Sequence, residues 1–101
     1  MLRTLLVRSV DPEILNRAAD IIKMLGHPER LKIVEVLEQG EATVSEIQDA
    51  LDLSQAIVSQ HLAKMRGGQI VAARRDGVHV YYRITEPKVP HILSCIRSCD
   101  M

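Results

Sequence analysis

His91, Cys95 and Cys99 follow one another at intervals of four residues, so a helix through them carries an imidazole and two thiols along one side. These groups bind metals and exchange electrons. Residues eight apart on a helix are separated by ~12 Å along its axis, so one ion with bonds near ~2.3 Å cannot take all three. A pair four apart can chelate, with the remaining ligands coming from a second chain's helix or from Asp100. Two thiolates per chain suit a soft metal or a trivalent metalloid. A redox reading competes. Cβ atoms four apart on a helix lie ~5–6 Å from one another, whereas a disulfide wants ~3.5–4.5 Å. Closure would therefore need an unwound last turn, extra bridging sulfur atoms or a link between chains. A third reading is inert packing, because free cysteine is a common small core residue and His91 after Pro90 could simply cap a helix. A signal sensed at a separate ligand pocket is the fourth.

The stretch from Ser54 to Arg75 has a different chemistry. On a helical wheel Val58, His61, Leu62 and Met65 gather on one side, and Gln55, Ala56, Ser59, Gln60 and Ala63 on the other. The second set is small or amide-bearing and uncharged, which suits close approach to base edges: glutamine pairs with adenine, and small residues meet thymine methyls. Asp and Glu are absent between Leu53 and Arg75. Lys64 and Arg66 end the helix, Arg74 and Arg75 flank a hairpin tip, and all four are assigned to phosphates. Ser54 starts the helix as its cap, and His61 is placed at the edge of the reading face, near a phosphate. The candidate DNA contacts are thus Ser54, Gln55, Ala56, Ser59, Gln60, His61, Lys64, Arg66, Arg74 and Arg75. His27 and His79 have no evident partners and are read as structural.

The positioning elements follow from the punctuation. Asp11-Pro12 opens a helix over 11–25 with Ile14, Leu15, Ala18, Ile21, Ile22 and Leu25 at helical spacing. Gly26-His27-Pro28 interrupts, and a second helix closes on Gly40 as its C-terminal cap. Thr43 and Glu46 form a capping box that opens a helix-turn-helix over 43–66, ending at Gly67-Gly68. Asp76-Gly77 predicts a hairpin over 70–84. Pro87 and Pro90 lead into a last helix, 91–99, with an apolar stripe of Val89, Ile92 and Ile96. The expected fold is mainly α with a β-hairpin wing, a winged helix-turn-helix filling residues 1–101 as a single domain.

Charge and composition decide among partners. Lys plus Arg and Asp plus Glu both number 13, which excludes a uniformly basic coat. The balance conceals a dipole: residues 54–84 carry net +4 and residues 35–52 net −6. With Tyr81 and Tyr82 as the only aromatics, base-stacking platforms for single strands are excluded and the core must be aliphatic. Two closely spaced cysteines do not staple a secreted domain. No apolar run is long enough to span a membrane. Met1–Arg8 makes a poor signal peptide, so a cytoplasmic protein is expected. There is no phosphate loop, no paired carboxylates and no nucleophile–base signature beyond Cys95 with His91, so no enzyme is expected. A winged-helix protein-interaction module without DNA binding is the rival from another class. Its discriminator is the salt dependence of DNA binding.

Leu25–Ile33, Leu53–Leu62 and Tyr81–Ile84, with their spacing, resemble the ArsR/SmtB family of bacterial repressors over roughly residues 18–84. The resemblance implies a homodimer that leaves double-stranded operator DNA when a small effector binds, with the first and last helices (11–25 and 91–99) forming the interface. It implies no obligatory cofactor. One sensing site of the family, a Cys-Val-Cys type motif opening the third helix, has no cysteine at Ala42–Ile47. Another, an Asp-x-His pair at the start of the last helix, is matched by Glu86 and Lys88, with Cys99 in third place and no fourth ligand. A charged lysine cannot ligate. His91, Cys95 and Cys99 remain as sensor residues for a thiol-reactive metal or metalloid ion, or for oxidants and reactive sulfur.

Overall fold

Local hydrogen bonds at the chain's interruptions set where each helix begins. In the computed structural model, which describes residues 9–99, α1 spans Pro12–Leu25, and the Asp11 carboxylate accepts from the Glu13 N–H at 2.8 Å. Helix α2, Pro28–Leu37, is separated from α1 by two residues, Gly26 and His27. His27 is its N-cap, with Nδ1 accepting from the Glu29 N–H at 3.3 Å. Its C-cap is Glu38, not Gly40 as the sequence predicts. Gly40 instead takes φ +140° on the exit turn, a conformation that L side chains rarely adopt, while its N–H reaches back to the Leu37 carbonyl at 3.1 Å.

The capping box of α3, Val44–Leu51, is complete, with Thr43 and Glu46 each accepting the other's backbone N–H at 2.9–3.1 Å. Asp52 in the left-handed region ends α3, and the Ser54 hydroxyl caps α4, Gln55–Gly67. The strands β1, Val71–Asp76, and β2, His79–Ile84, pair antiparallel with Asp76 opposite His79. The loop is therefore Gly77-Val78, one residue later than the predicted Asp76-Gly77. Gly77 alone has positive φ, +64°, at the first loop position, where a II′-type hairpin requires glycine. One pairing had no sequence signal: Ala42 bridges Tyr82 through both backbone groups, tying the α2–α3 connection to the wing.

Helix α5 runs Lys88–Ser98, three residues earlier than expected. Pro90 is tolerated because the first turn of a helix has no internal partner for its N–H groups. Cys99 has left the helix, with φ −84° and ψ 126°. The expected three-residue line therefore has its last member at the C-cap and not inside α5. The apolar stripe is also rotated: Val89 and Leu93 are buried, Ile92 is half-buried and Ile96 is exposed.

Residues from every helix and from the base of the wing meet in one aliphatic core, including Ile21, Ile33, Ile47, Leu62, Met65 and Val89. Each such side chain contributes about 1.5–3 kcal/mol by leaving water. On α1, by contrast, Ile14, Leu15 and Ile22 are 52–63% exposed. No helix among the described residues is long and apolar enough to cross a membrane. Met1–Arg8 and Asp100 lie outside the described residues.

Candidate functional site

Helix α4 is divided by its packing. Val58, Leu62 and Met65 are fully buried and fix the helix against the core. Gln55, Ala56, Gln60, Ala63, Lys64 and Arg66 are exposed, and Ser59 is half-buried. Ile57, which the wheel did not single out, is exposed among them. The outer face is thus uncharged along most of its length and basic only in its last turn, where Lys64 and Arg66 also complement the helix dipole. The Ser54 hydroxyl is engaged with the Ile57 N–H, so its part in the site is to start the helix. Between the starts of α3 and α4 and the hairpin lies an open groove of about 690 Å³, bordered by Thr43, Ser45, Gln48, Gln55, Val78 and Tyr81.

His61 is placed elsewhere than on that face. Its side chain is 12% exposed and turned toward the start of α2. There Arg30 Nε donates to its Nδ1 at 3.1 Å, and its Nε2 lies 3.1 Å from the Glu29 carboxylate. The His27 ring meets it edge-on with centroids 4.6 Å apart, so His27 is not without a partner. The signal was present in the sequence: His61 shares a wheel position with Val58 and Leu62, and His27-Pro28 marks a helix start. Donor atoms of His27, Glu29 and His61 lie within 4.8 Å of one another, a spacing that could hold a metal. The hydrogen bonds argue otherwise. Both Nδ1 atoms already accept hydrogen bonds, from the Glu29 N–H and from Arg30 Nε, and the Arg30 guanidinium puts a positive charge beside them. The cluster is a polar clamp between α2 and α4.

On the wing, the two tip arginines differ. Arg74 makes a bidentate pair with Glu41 at 2.7 and 2.8 Å, has Asp76 at 3.8 Å and lies over the Tyr81 ring at 4.8 Å. That hydrogen-bonded pairing, more than the charge attraction, holds the Glu41 carboxyl below its usual range and raises the Arg74 guanidinium. Arg75, on the opposite face of the strand, is exposed and has no ion pair among the described residues. His79 is exposed, with Tyr81 nearby at 6.1 Å between ring centroids.

The third set of residues lies on α5. His91, Cys95 and Cys99 are all exposed, both thiols are free, and the three do not form a three-donor group within one chain. Glu86 and Lys88 are already engaged with each other. The Glu86 carboxylate accepts the Lys88 backbone N–H at 3.0 Å and the Arg17 guanidinium at 3.0 Å, and these bonds, in that order, hold it below the usual carboxylate range.

Residues 27–72 match the model of the bacterial regulatory protein family arsR. The transcriptional repressor PagR of Bacillus anthracis is 43% identical over 79 residues, covering 77% of this chain and 79% of that protein. The crystal structure of the transcriptional repressor BigR from Xylella fastidiosa superposes with a TM-score of 0.80 at 32% identity, covering 88% of this chain and 93% of that one. Reduced HlyU from Vibrio cholerae superposes with a TM-score of 0.79 at 28% identity, covering 87% and 95%.

Proposed function

The chain belongs to the ArsR/SmtB family of bacterial transcriptional repressors, DNA-binding proteins and not enzymes, and on that premise we propose how this member works. It acts in the cytoplasm as a homodimer on an inverted-repeat operator in double-stranded DNA. It leaves that operator when a small thiol-reactive effector, a metal or metalloid ion, engages Cys95 and Cys99.

The observation that carries the reading is the division of α4: a fully buried Val58, Leu62 and Met65 behind an exposed, acid-free face. Gln55 and Gln60 supply paired hydrogen bonds for adenine, while Ala56 and Ala63 leave room for thymine methyls. Lys64, Arg66 and Arg75 add phosphate contacts that set register without sequence preference. The uncovered Ile14, Leu15 and Ile22 of α1, with Ile96 of α5, support a self-complementary contact between two copies. Two-fold symmetry then places half-sites roughly 34–36 Å apart or at a multiple of that distance.

Both thiols are free and exposed on or beside α5. Cys95 with His91 supplies two donors one turn apart, and the partner chain would complete the shell of an ion. No resident cofactor is required. A redox or reactive-sulfur signal is the second reading, favoured by one feature: Cys99 is the C-cap residue of α5, so only the end of the helix has to open for its thiol to reach Cys95. A related regulator, HlyU, has a solved structure described as reduced.

The test is release from DNA in the presence of As(III), Zn(II), Cd(II), peroxide or polysulfide. The double variant Cys95→Ser, Cys99→Ser should bind DNA as the wild type does and respond to none of them. Normal release from that variant would eliminate every thiol mechanism.

A further inference from the structure

We infer that Glu41 limits how tightly the wing holds DNA phosphates by keeping Arg74 neutralised, so that Arg75 is the wing-tip arginine free to contact DNA. The inference rests on the DNA-binding reading above and adds a residue to it. Sequence spacing treats Arg74 and Arg75 alike; their surroundings do not. Arg74, its side chain still 46% exposed, is held by both oxygens of Glu41, with Asp76 at 3.8 Å and the Tyr81 ring at 4.8 Å. Glu41 is not a wandering surface carboxylate. Its neighbour Ala42 exchanges both backbone hydrogen bonds with Tyr82 at 2.8 and 3.1 Å, and Tyr81 stands opposite Arg74 in the hairpin. Pinning the backbone at Ala42 therefore pins Glu41 beside Arg74.

Such an exposed pair stabilises a fold very little, but it has a direct electrostatic consequence. A phosphate approaching the outer face of the wing meets a guanidinium whose charge is balanced, and two of whose donor groups are taken, by a carboxylate that also repels the phosphate. Counterion release counts cations available to phosphates, and Arg74 drops out of that count while Glu41 is ionised. Removing the carboxylate returns one cation to the wing, and the effect is the same on every DNA sequence because phosphate contacts carry no base information.

The experiment uses the full chain and a random-sequence duplex, with binding measured from about 50 to about 200 mM salt. Glu41→Gln should bind roughly two- to fivefold more tightly and steepen the log–log salt slope by about 0.9, the share of one phosphate contact. Arg74→Ala alone should leave the slope nearly unchanged. Adding Arg74→Ala to Glu41→Gln should abolish the gain in slope, which isolates the pair from any general effect of net charge. Asp49→Asn, an equal change of charge at an exposed α3 position, should leave the slope as in the wild type. A Glu41→Gln slope equal to that of the wild type, or weaker binding by that variant, would overturn the inference while leaving the DNA reading intact. A wild-type chain that fails to bind the duplex at the lowest salt would overturn the DNA reading itself.

Discussion

Helices α1 and α4 are both amphipathic, but only α4 is finished within one chain. Val58, Leu62 and Met65 are fully buried, and what remains outside is small, polar or basic apart from Ile57. On α1 only Ile21 and Leu25 enter the core, while Ile14, Leu15 and Ile22 stay more than half exposed. The difference teaches where each helix finds its partner. The outer face of α4 suits a hydrophilic, charged surface, and the uncovered apolar face of α1 is what the proposed contact with a second copy would bury. The proposed sensor residues lie on or beside α5, away from the outer face of α4, so under the proposed function a signal there has to reach the DNA-reading face through the rest of the fold.

The largest effect should come from breaking the unfinished side. Leu15→Asp should turn the dimer into a monomer in sedimentation or light scattering. Operator affinity should then fall by about 10²–10⁴-fold, the avidity lost when two half-sites are no longer read together. A monomeric wild-type chain would remove the basis of the comparison.

Leu62→Ala attacks the finished side from behind. It should cost about 2–5 kcal/mol of unfolding free energy, because a fully buried leucine leaves a cavity the packed core cannot close. Chemical denaturation of the dimer at fixed protein concentration would measure it.

Gln60→Ala sharpens the comparison from the front. Stability should be unchanged, and discrimination between operator and random duplex should fall by about 1–3 kcal/mol. Equal losses on both duplexes would mean that Gln60 does not read bases.

The smallest effect concerns the inner side of α1, where Glu86 joins its Arg17 to the start of α5. Because folding depresses the Glu86 carboxyl, its contribution is fully present above the unfolded value near about 4.3. That contribution disappears as pH falls through the lower folded value. Glu86→Gln should therefore lower stability by less than about 1 kcal/mol at neutral pH and converge with the wild type in acid. A deficit that persists in acid would assign Glu86 a role other than this ion pair.

Much of this was legible in the residues. Caps at Asp11, Thr43 and Ser54 act over two or three positions, so local chemistry predicts them, and the order of elements follows. The buried line Val58, Leu62, Met65 was likewise visible as a wheel position. What escaped depends on contacts between distant segments. His61 looked like a surface donor until α2 placed Glu29, Arg30 and His27 around it. Arg74 and Arg75 are neighbours in sequence, but alternation along a strand puts them on opposite faces, and only one meets Glu41. Pro90 suggested a later start for α5 because a proline at any of the first helical positions looks the same from its neighbours alone. The proposed sensor residues stay the least legible part. The chemistry proposed for them draws on a second chain, which no spacing within one chain specifies.

The most direct test of the central claim is a salt series of binding to the DNA upstream of this protein's own coding sequence, read together with the number of protomers bound. The account predicts two protomers on one inverted repeat, with affinity falling steeply as salt rises. No binding at low salt, or binding that is insensitive to salt, would contradict it.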